Sequence, residues 1–335
     1  MSENAFRADT PTLFLTDEDV AALADWDSAI AALRTAYSRP DESSSTPERA
    51  VAVTATGWQR VMPSAPPGAK YAGSKTISAS LQNGLVSYLI TLFDQHDSRL
   101  VALVDGNRIT GLRTAATAAA ALTALLPHRP VVAAVIGSGF EARAQLRSAS
   151  RVADIAEVRV SSPTQANRER FAAELSEELG IPVAAATEPE AAVRGAELVL
   201  CAARSRDESP TVRAEWLADD ATVVSVGSTT PSQRELDPAI IGRASIVVAD
   251  ALAEVLHDSG DMIAARDAGL DPDAVTVPLH DLLAGRATRP ERGIAVYKST
   301  GSGFQDIVLA ELLVDRAIEQ GRGAALPVGI LTIRK

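Results

Sequence analysis

Gly137-Ser138-Gly139-Phe140-Glu141-Ala142 has the spacing with which a backbone holds a pyrophosphate. The first glycine of a G-x-G-x-x-A turn permits the sharp bend, and the second lets the backbone approach the phosphates. The alanine lets the following helix pack close to the strand, so that the helix N-terminus faces the negative charge. Strand-like "VVAAVIG" precedes the turn and helix-like "FEARAQL" continues from it, which favours a dinucleotide over another ligand of the same fold. The next strand ends in "VRVSSPT", with Ser161, Ser162 and Thr164, then Arg168, and with no acid to grip a ribose 2′-hydroxyl. Hydroxyls beside a guanidinium match a 2′-phosphate. NADP(H) is therefore favoured, with NAD(H) as the alternative, and Arg168 reads equally as part of a solvated helix face.

Three cations precede the glycine turn: Arg49 in "TPERAVAV", Lys75 in "YAGSKTISAS" and Arg113 in "GLRTAATAAAA". Arg113 heads a helix with four consecutive alanines and no charge from Thr114 to Leu126. Such a helix has no broad solvated face and is expected to be buried on most sides. A guanidinium at its N-terminal end lies near positive dipole charge and needs an anion. Arg49 and Lys75 read equally as strand-edge residues. Together the three could clamp a carboxylate, for which arginine's planar fork is suited.

The elements that must position these groups fall into two patterns. Up to about residue 110 come amphipathic helical segments ("DEDVAALADWDSAIAALRTAYS"), a polar stretch ("RPDESSSTPER") and strands "AVAVTAT", "YAGSKTISAS" and "LVSYLITLFD". A hairpin through "DQHDSRLVALVDG" follows, an α+β order. From about 130 short apolar strands alternate with helices, the pattern of an α/β fold with a Rossmann-type doubly wound parallel sheet. The expected boundaries are 1–112, with 306–335 returning, for the α+β domain and 113–305 for the Rossmann domain. "HDSGDMIAA" reads as a loop, and "YKSTGSGFQD" sets Lys298, Ser299 and Asp306 around a glycine-rich turn, with helix capping the plainer role for Asp306.

A net charge of −11 disfavours nucleic acid and anionic membrane surfaces. One cysteine, Cys201, forbids an internal disulfide and suits a reducing, cytoplasmic compartment; within "AELVLCAAR" it reads as an inert core residue. The N-terminal residues carry no secretory pattern, no apolar run is long enough to span a bilayer, and the four histidines have no metal-ligand spacing.

The segments "RVMPSAPPGAKYAGSKTIS", "LFDQHDSRLVALVDGNRITGLRTAATAAA", "VIGSGFEARAQL", "VVSVGSTTPSQRELD" and "VYKSTGSGFQD" resemble, in order, those of the ornithine cyclodeaminase/μ-crystallin family. The resemblance implies a homodimer whose α+β domain binds substrate and dimerises, closed by the C-terminal helix. It also implies that Arg49, Lys75 and Arg113 bind the carboxylate of a small amino or imino acid, with Thr114 beside the cofactor. Family cyclodeaminases and alanine dehydrogenases carry an aspartate after "VVSVG", in a pattern like G-x-D-x-P-G-K-x-E-L. Here Thr229 stands at that place, in Gly227-Ser228-Thr229-Thr230-Pro231-Ser232-Gln233-Arg234-Glu235-Leu236. A hydroxyl cannot be a general base near neutral pH. That implies an NAD(P)H-dependent imine or ketimine reductase or amino-acid dehydrogenase, with Lys75 and Thr229 as catalytic residues. The alternatives are an ornithine or lysine cyclodeaminase using His96, His257 or Glu235 as base, each of which also reads as a surface or capping residue, and a non-catalytic μ-crystallin-like nucleotide-binding protein.

Overall fold

The computed structural model describes residues 5–6, 11–40, 44–203, 205, 209–327 and 329–333; residues 41–43 of the polar stretch lie outside them. The chain divides into two units, Met1–Arg113 with Ser302–Lys335, and Thr114–Gly301.

In the first unit, β1 (Ala5–Phe6) pairs with β17 (Thr332–Ile333). A seven-stranded sheet is built from β2 (Leu13–Leu15), β3 (Ala50–Val53), β4 (Gly57–Ser64), β5 (Tyr71–Ser80), β6 (Leu85–Asp94), β7 (Leu100–Asp105) and β16 (Ala324–Ala325). Its order is β16-β2-β7-β6-β5-β4-β3, antiparallel except for β2–β7. Strand β4 was not among the sequence's strand-like runs, because Gln59, Arg60 and Pro63 break its apolar pattern. One face is covered by α11 (Gly303–Gln320) against β4, β5 and β6 and by α1 (Asp17–Leu23) against β2 and β7, with α2 (Trp26–Tyr37) packed on α11. Helix α1 starts with a Thr16–Asp19 capping box and α2 with Asp25 as N-cap. The C-terminal helix thus packs onto the α+β unit.

In the second unit the strands are β8 (Val131–Ile136), β9 (Ile155–Ser161), β10 (Val183–Ala185), β11 (Leu198–Cys201), β12 (Thr222–Ser225), β13 (Ala244–Ala249), β14 (Thr276–Pro278) and β15 (Ile294–Lys298). They form one parallel sheet in the order β10-β9-β8-β11-β12-β15-β13-β14. Strands β11, β12 and β15 are buried throughout, as apolar runs with both faces covered require. The helices are α4 (Phe140–Ala149), α5 (Gln165–Leu179), α6 (Pro189–Val193), α7 (Pro238–Arg243), α8 (Leu252–Asp258), α9 (Gly260–Asp267) and α10 (Leu279–Leu283). The strand order reverses between β8 and β11, and ligands of such sheets bind beyond the strand ends at that point.

Two expectations need correction. Helix α3 (Asn107–Leu125) begins six residues before Arg113, so the guanidinium lies nearly two turns in and beyond the dipole's positive end. The segment "HDSGDMIAA" is the junction of α8 and α9 rather than a loop. Gly260 makes that junction possible, since a Cβ there would meet the Gln233 carbonyl at 2.0 Å.

Candidate functional site

Gly137 has φ +114°, a conformation open to glycine, and a Cβ there would meet the Ala202 carbonyl oxygen at 2.8 Å. Its N–H donates to the Ser161 carbonyl, and the Ser138 hydroxyl donates to Ser162 Oγ at 2.9 Å, which joins the glycine turn to the end of β9. Gly139 is the N-cap of α4, without any side-chain cap, and a Cβ on it would meet nothing within 4 Å. The first N–H groups of α4 therefore have open space before them.

That space belongs to a cavity of about 1040 Å³ lined by Gly137, Ser138, Gly139, Ser161, Ser162 and Thr164, together with Asn167, Glu188, Ala202, Ala203 and Arg213. An uncapped helix N-terminus, two small glycines and a row of hydroxyls fit a dinucleotide. Other cofactor candidates lie outside the lining. The Arg168 guanidinium turns back to the Ser162 carbonyl at 3.1 Å, Phe140 is 63% exposed, Ala142 is buried, and Glu141 and Thr114 do not line the cavity. Ala202 and Ala203 were missed, although the rule that ligands bind beyond parallel strand ends points to the residues after β11.

In the first unit, Lys75 sits mid-strand in β5 on the face toward α11 and has no exposed surface. Its Nζ donates to Thr110 Oγ1 at 2.7 Å and to Asp306 Oδ1 at 3.0 Å, and lies 5.3 Å from the centre of the Tyr88 ring. Arg113 stands three residues after Thr110, on the same face of α3. Its Nη1 donates to Gln305 Oε1 at 2.8 Å, and its Nε lies 3.5 Å from Asp306 Oδ1. Gln305 is held in turn by the Tyr37 hydroxyl at 3.0 Å. Gly303 permits the approach, because a Cβ there would meet the Met62 carbonyl at 2.5 Å.

The anion beside Arg113 is therefore internal. Asp306 is the fourth residue of α11, whose N-cap is Ser302, so it does not cap the helix. It bridges Lys75 and Arg113, so one buried carboxylate faces both cations. Arg49 directly precedes β3, two strands across the sheet from Lys75.

A family model described as the ornithine cyclodeaminase/mu-crystallin family matches residues 10–321. The chain belongs to that family. It is 28% identical over 271 residues to a Δ1-pyrroline-2-carboxylate reductase of Bacillus cereus, covering 78% of this chain and 82% of that one. The solved structure of Thermococcus litoralis Δ1-pyrroline-2-carboxylate reductase in complex with NADH and L-proline superposes with TM-score 0.86 at 27% identity, over 94% of this chain and all of the other. An archaeal alanine dehydrogenase dimer with bound NAD gives TM-score 0.85 at 25% identity, over 95% and 99%.

The family segment after β12 belongs to the Rossmann-type unit. Thr229 is half-buried, and its N–H and hydroxyl both donate to Gln233 Oε1, at 2.9 and 3.2 Å. Glu235 is neither a surface nor a capping residue: it has no exposed surface. Burial pushes its carboxyl up to about 7, with Asp261 adding to the rise and the Lys298 ammonium opposing it. Lys298 and Ser299 are engaged within this unit, by Asp261 at 3.0 Å and Asp250 at 2.6 Å. His96 and His257 are exposed, and burial holds the Cys201 thiol well above its ordinary value. Among the described residues no cluster could hold a metal, and no helix is long and apolar enough to cross a membrane.

Proposed function

We propose that this chain is an NAD(P)H-dependent oxidoreductase that acts on the C–N bond of a small imino or amino acid. The observation that carries the reading is the buried Lys75–Asp306–Arg113 cluster, which fixes an ammonium and a guanidinium close together, the pair of donors a substrate carboxylate takes. Arg113 holds that carboxylate by its guanidinium, with Arg49 as a second contact. Lys75 keeps the C=N bond polarised and places a proton at the nitrogen. The dinucleotide, when bound, supplies hydride to the imine carbon; hydride and proton together turn the imine into an amine. The activities named for the Bacillus and Thermococcus relatives support this reading.

Gly137, Ser138 and Gly139 would hold the pyrophosphate, and Ser161, Ser162 and Thr164 the ribose nearest β9. NADP(H) is favoured over NAD(H), since no acid directly follows β9 and Arg213 lines the same cavity.

The working form is a homodimer. Strand alternation puts Leu85, Leu89 and Phe93 on one face of β6, and they are 66%, 38% and 37% exposed. Across β3 to β6 that face carries no charged residue, and the dimer of the archaeal relative supports a second copy as its cover. A cytoplasmic location belongs to the same reading, on the strength of one buried cysteine.

The test is a screen of cyclic imines, 2-oxo acids with amines, and amino acids, read by NADPH and NADH absorbance. Reduction of a cyclic 2-imino acid is expected. Conversion of ornithine to proline without any turnover of added imine would replace the reading with cyclodeamination.

A further inference from the structure

The loops that leave β11 and β12 are tied together by a side chain belonging to neither strand. Glu235 Oε1 accepts the Ala203 N–H at 2.9 Å, and Oε2 accepts the Gly227 N–H at 2.8 Å and the Ser225 hydroxyl at 2.7 Å. Ser225 Oγ accepts in turn from Lys298 Nζ at 2.8 Å. Lys298 is paired with Asp261, whose Oδ1 accepts the backbone N–H groups of Glu235 and Leu236 at 2.8 and 3.1 Å. A Cβ on Gly227 would stand 2.4 Å from Glu235 Oε1, so glycine is what lets the carboxylate reach this backbone.

This network touches the cavity. Ala202 and Ala203 line it, and the Ala202 carbonyl is the group against which the Gly137 turn is packed. Whatever moves the Ala203 N–H therefore moves the wall facing the glycine turn.

We propose that Glu235 is a positioning residue of the dinucleotide cavity: ionised, it clamps the loops after β11 and β12, and its protonation slackens that wall and weakens nucleotide binding. The inference rests on the dinucleotide reading above. An ionised carboxylate only accepts, which matches two N–H groups and one hydroxyl all aimed at it. A proton on Oε1 is set against the Ala203 N–H, and one on Oε2 either meets the Gly227 N–H or turns the Ser225 hydroxyl toward Asp261 Oδ2, 3.4 Å away, and off the carboxyl group. The groups facing Glu235 are Ser225 from β12, the Lys298 ammonium from β15, the Asp261 carboxylate from α9 and the Cys201 thiol from β11. Two carboxylates and one ammonium leave an excess negative charge in a site without water access. A proton on Glu235 relieves it, and burial brings that event to about pH 7.

The experiment is NADH affinity of the full chain by fluorescence titration between pH 6 and 8.5; the phosphates of NADH do not titrate there. Wild-type affinity is expected to rise about fivefold with a midpoint near neutrality, one transmitted hydrogen bond. E235Q is expected to lose the pH dependence and to bind at pH 8 as wild type does at pH 6. S225A, a milder change, removes a hydrogen bond to the ionised form and is expected to move the midpoint to higher pH, which a purely structural loss of packing would not do. A flat wild-type profile, or an unmoved midpoint in S225A, overturns the inference and leaves the dinucleotide reading standing. Failure of wild type to bind NADH or NADPH at any pH overturns both.

Discussion

The Lys75 ammonium and the Asp306 carboxylate are 231 residues apart in sequence and 3.0 Å apart in the fold, both with no exposed surface. The ammonium is fixed in place before any substrate arrives. In Lys75→Met the fixed cation disappears while the glycine turn is untouched. Turnover should fall at least about 100-fold, the scale of a lost proton donor, with NADH affinity within twofold of wild type. Parallel steady-state kinetics and NADH titrations check it; loss of NADH binding in step with turnover would count against the assignment.

Arg113→Lys keeps the charge and discards the planar fork that bridges Gln305 and Asp306. The substrate KM should rise about tenfold or more, with a smaller change in kcat, because carboxylate binding is the part lost. A KM equal to wild type in the same assay would remove Arg113 from the substrate site.

The two glycines of the turn should respond differently to alanine. Gly137→Ala forces an L side chain to φ +114° and against the Ala202 carbonyl, and should cost about 1–3 kcal/mol in denaturant unfolding. Gly139→Ala has allowed backbone angles and open space, so stability should hold. Its methyl would stand where phosphate belongs, and NADH affinity should drop about tenfold.

Glu235 also shapes stability. Its folded value lies above the ordinary 4.5, so the folded state keeps a proton that the unfolded chain releases. The resulting stability is fully present below about pH 4.5, drains as pH rises toward 7, and is level beyond. The loss amounts to about 3 kcal/mol across that window. Urea unfolding at pH 5 and pH 7.5 should show this component in wild type and lack it in E235Q; identical pH slopes would contradict the assignment.

Leu89 sits mid-way along β6, on the face where β3 to β6 carry no charged residue and directly opposite Asp105 of β7. Leu89→Lys would place an ammonium in the proposed subunit contact, opposite Asp105 of β7, and should shift sedimentation from dimer to monomer, with little change in monomer unfolding. A dimer that persists unchanged would put the contact elsewhere.

Much of this was legible in the residues. Strands β8, β11, β12 and β15 are runs covered on both faces, and such runs can be little else than interior parallel strands. The glycine turn announces itself because the backbone angle and close approach at Gly137 exclude other residues. Helix α3 was recognisable as buried, since four alanines without a charge leave nothing for water to solvate. Its true start at Asn107 was less so, because Asn107 and Arg108 look like solvated loop residues. Strand β4 was hidden by Arg60 and Pro63, and the α8–α9 junction by a glycine that serves packing rather than a turn.

Local pattern, then, decided the elements, the family and the place of the glycine turn, because those depend on neighbours within a few residues. Partnership was decided by tertiary structure alone. The sequence offered Arg113 without its anion, Glu235 as one acid in a polar loop, and Lys298 beside a glycine-rich turn. Whether a charged group works, and at what pH, depends on which distant groups share its low-dielectric surroundings, and chain folding settles that across hundreds of residues.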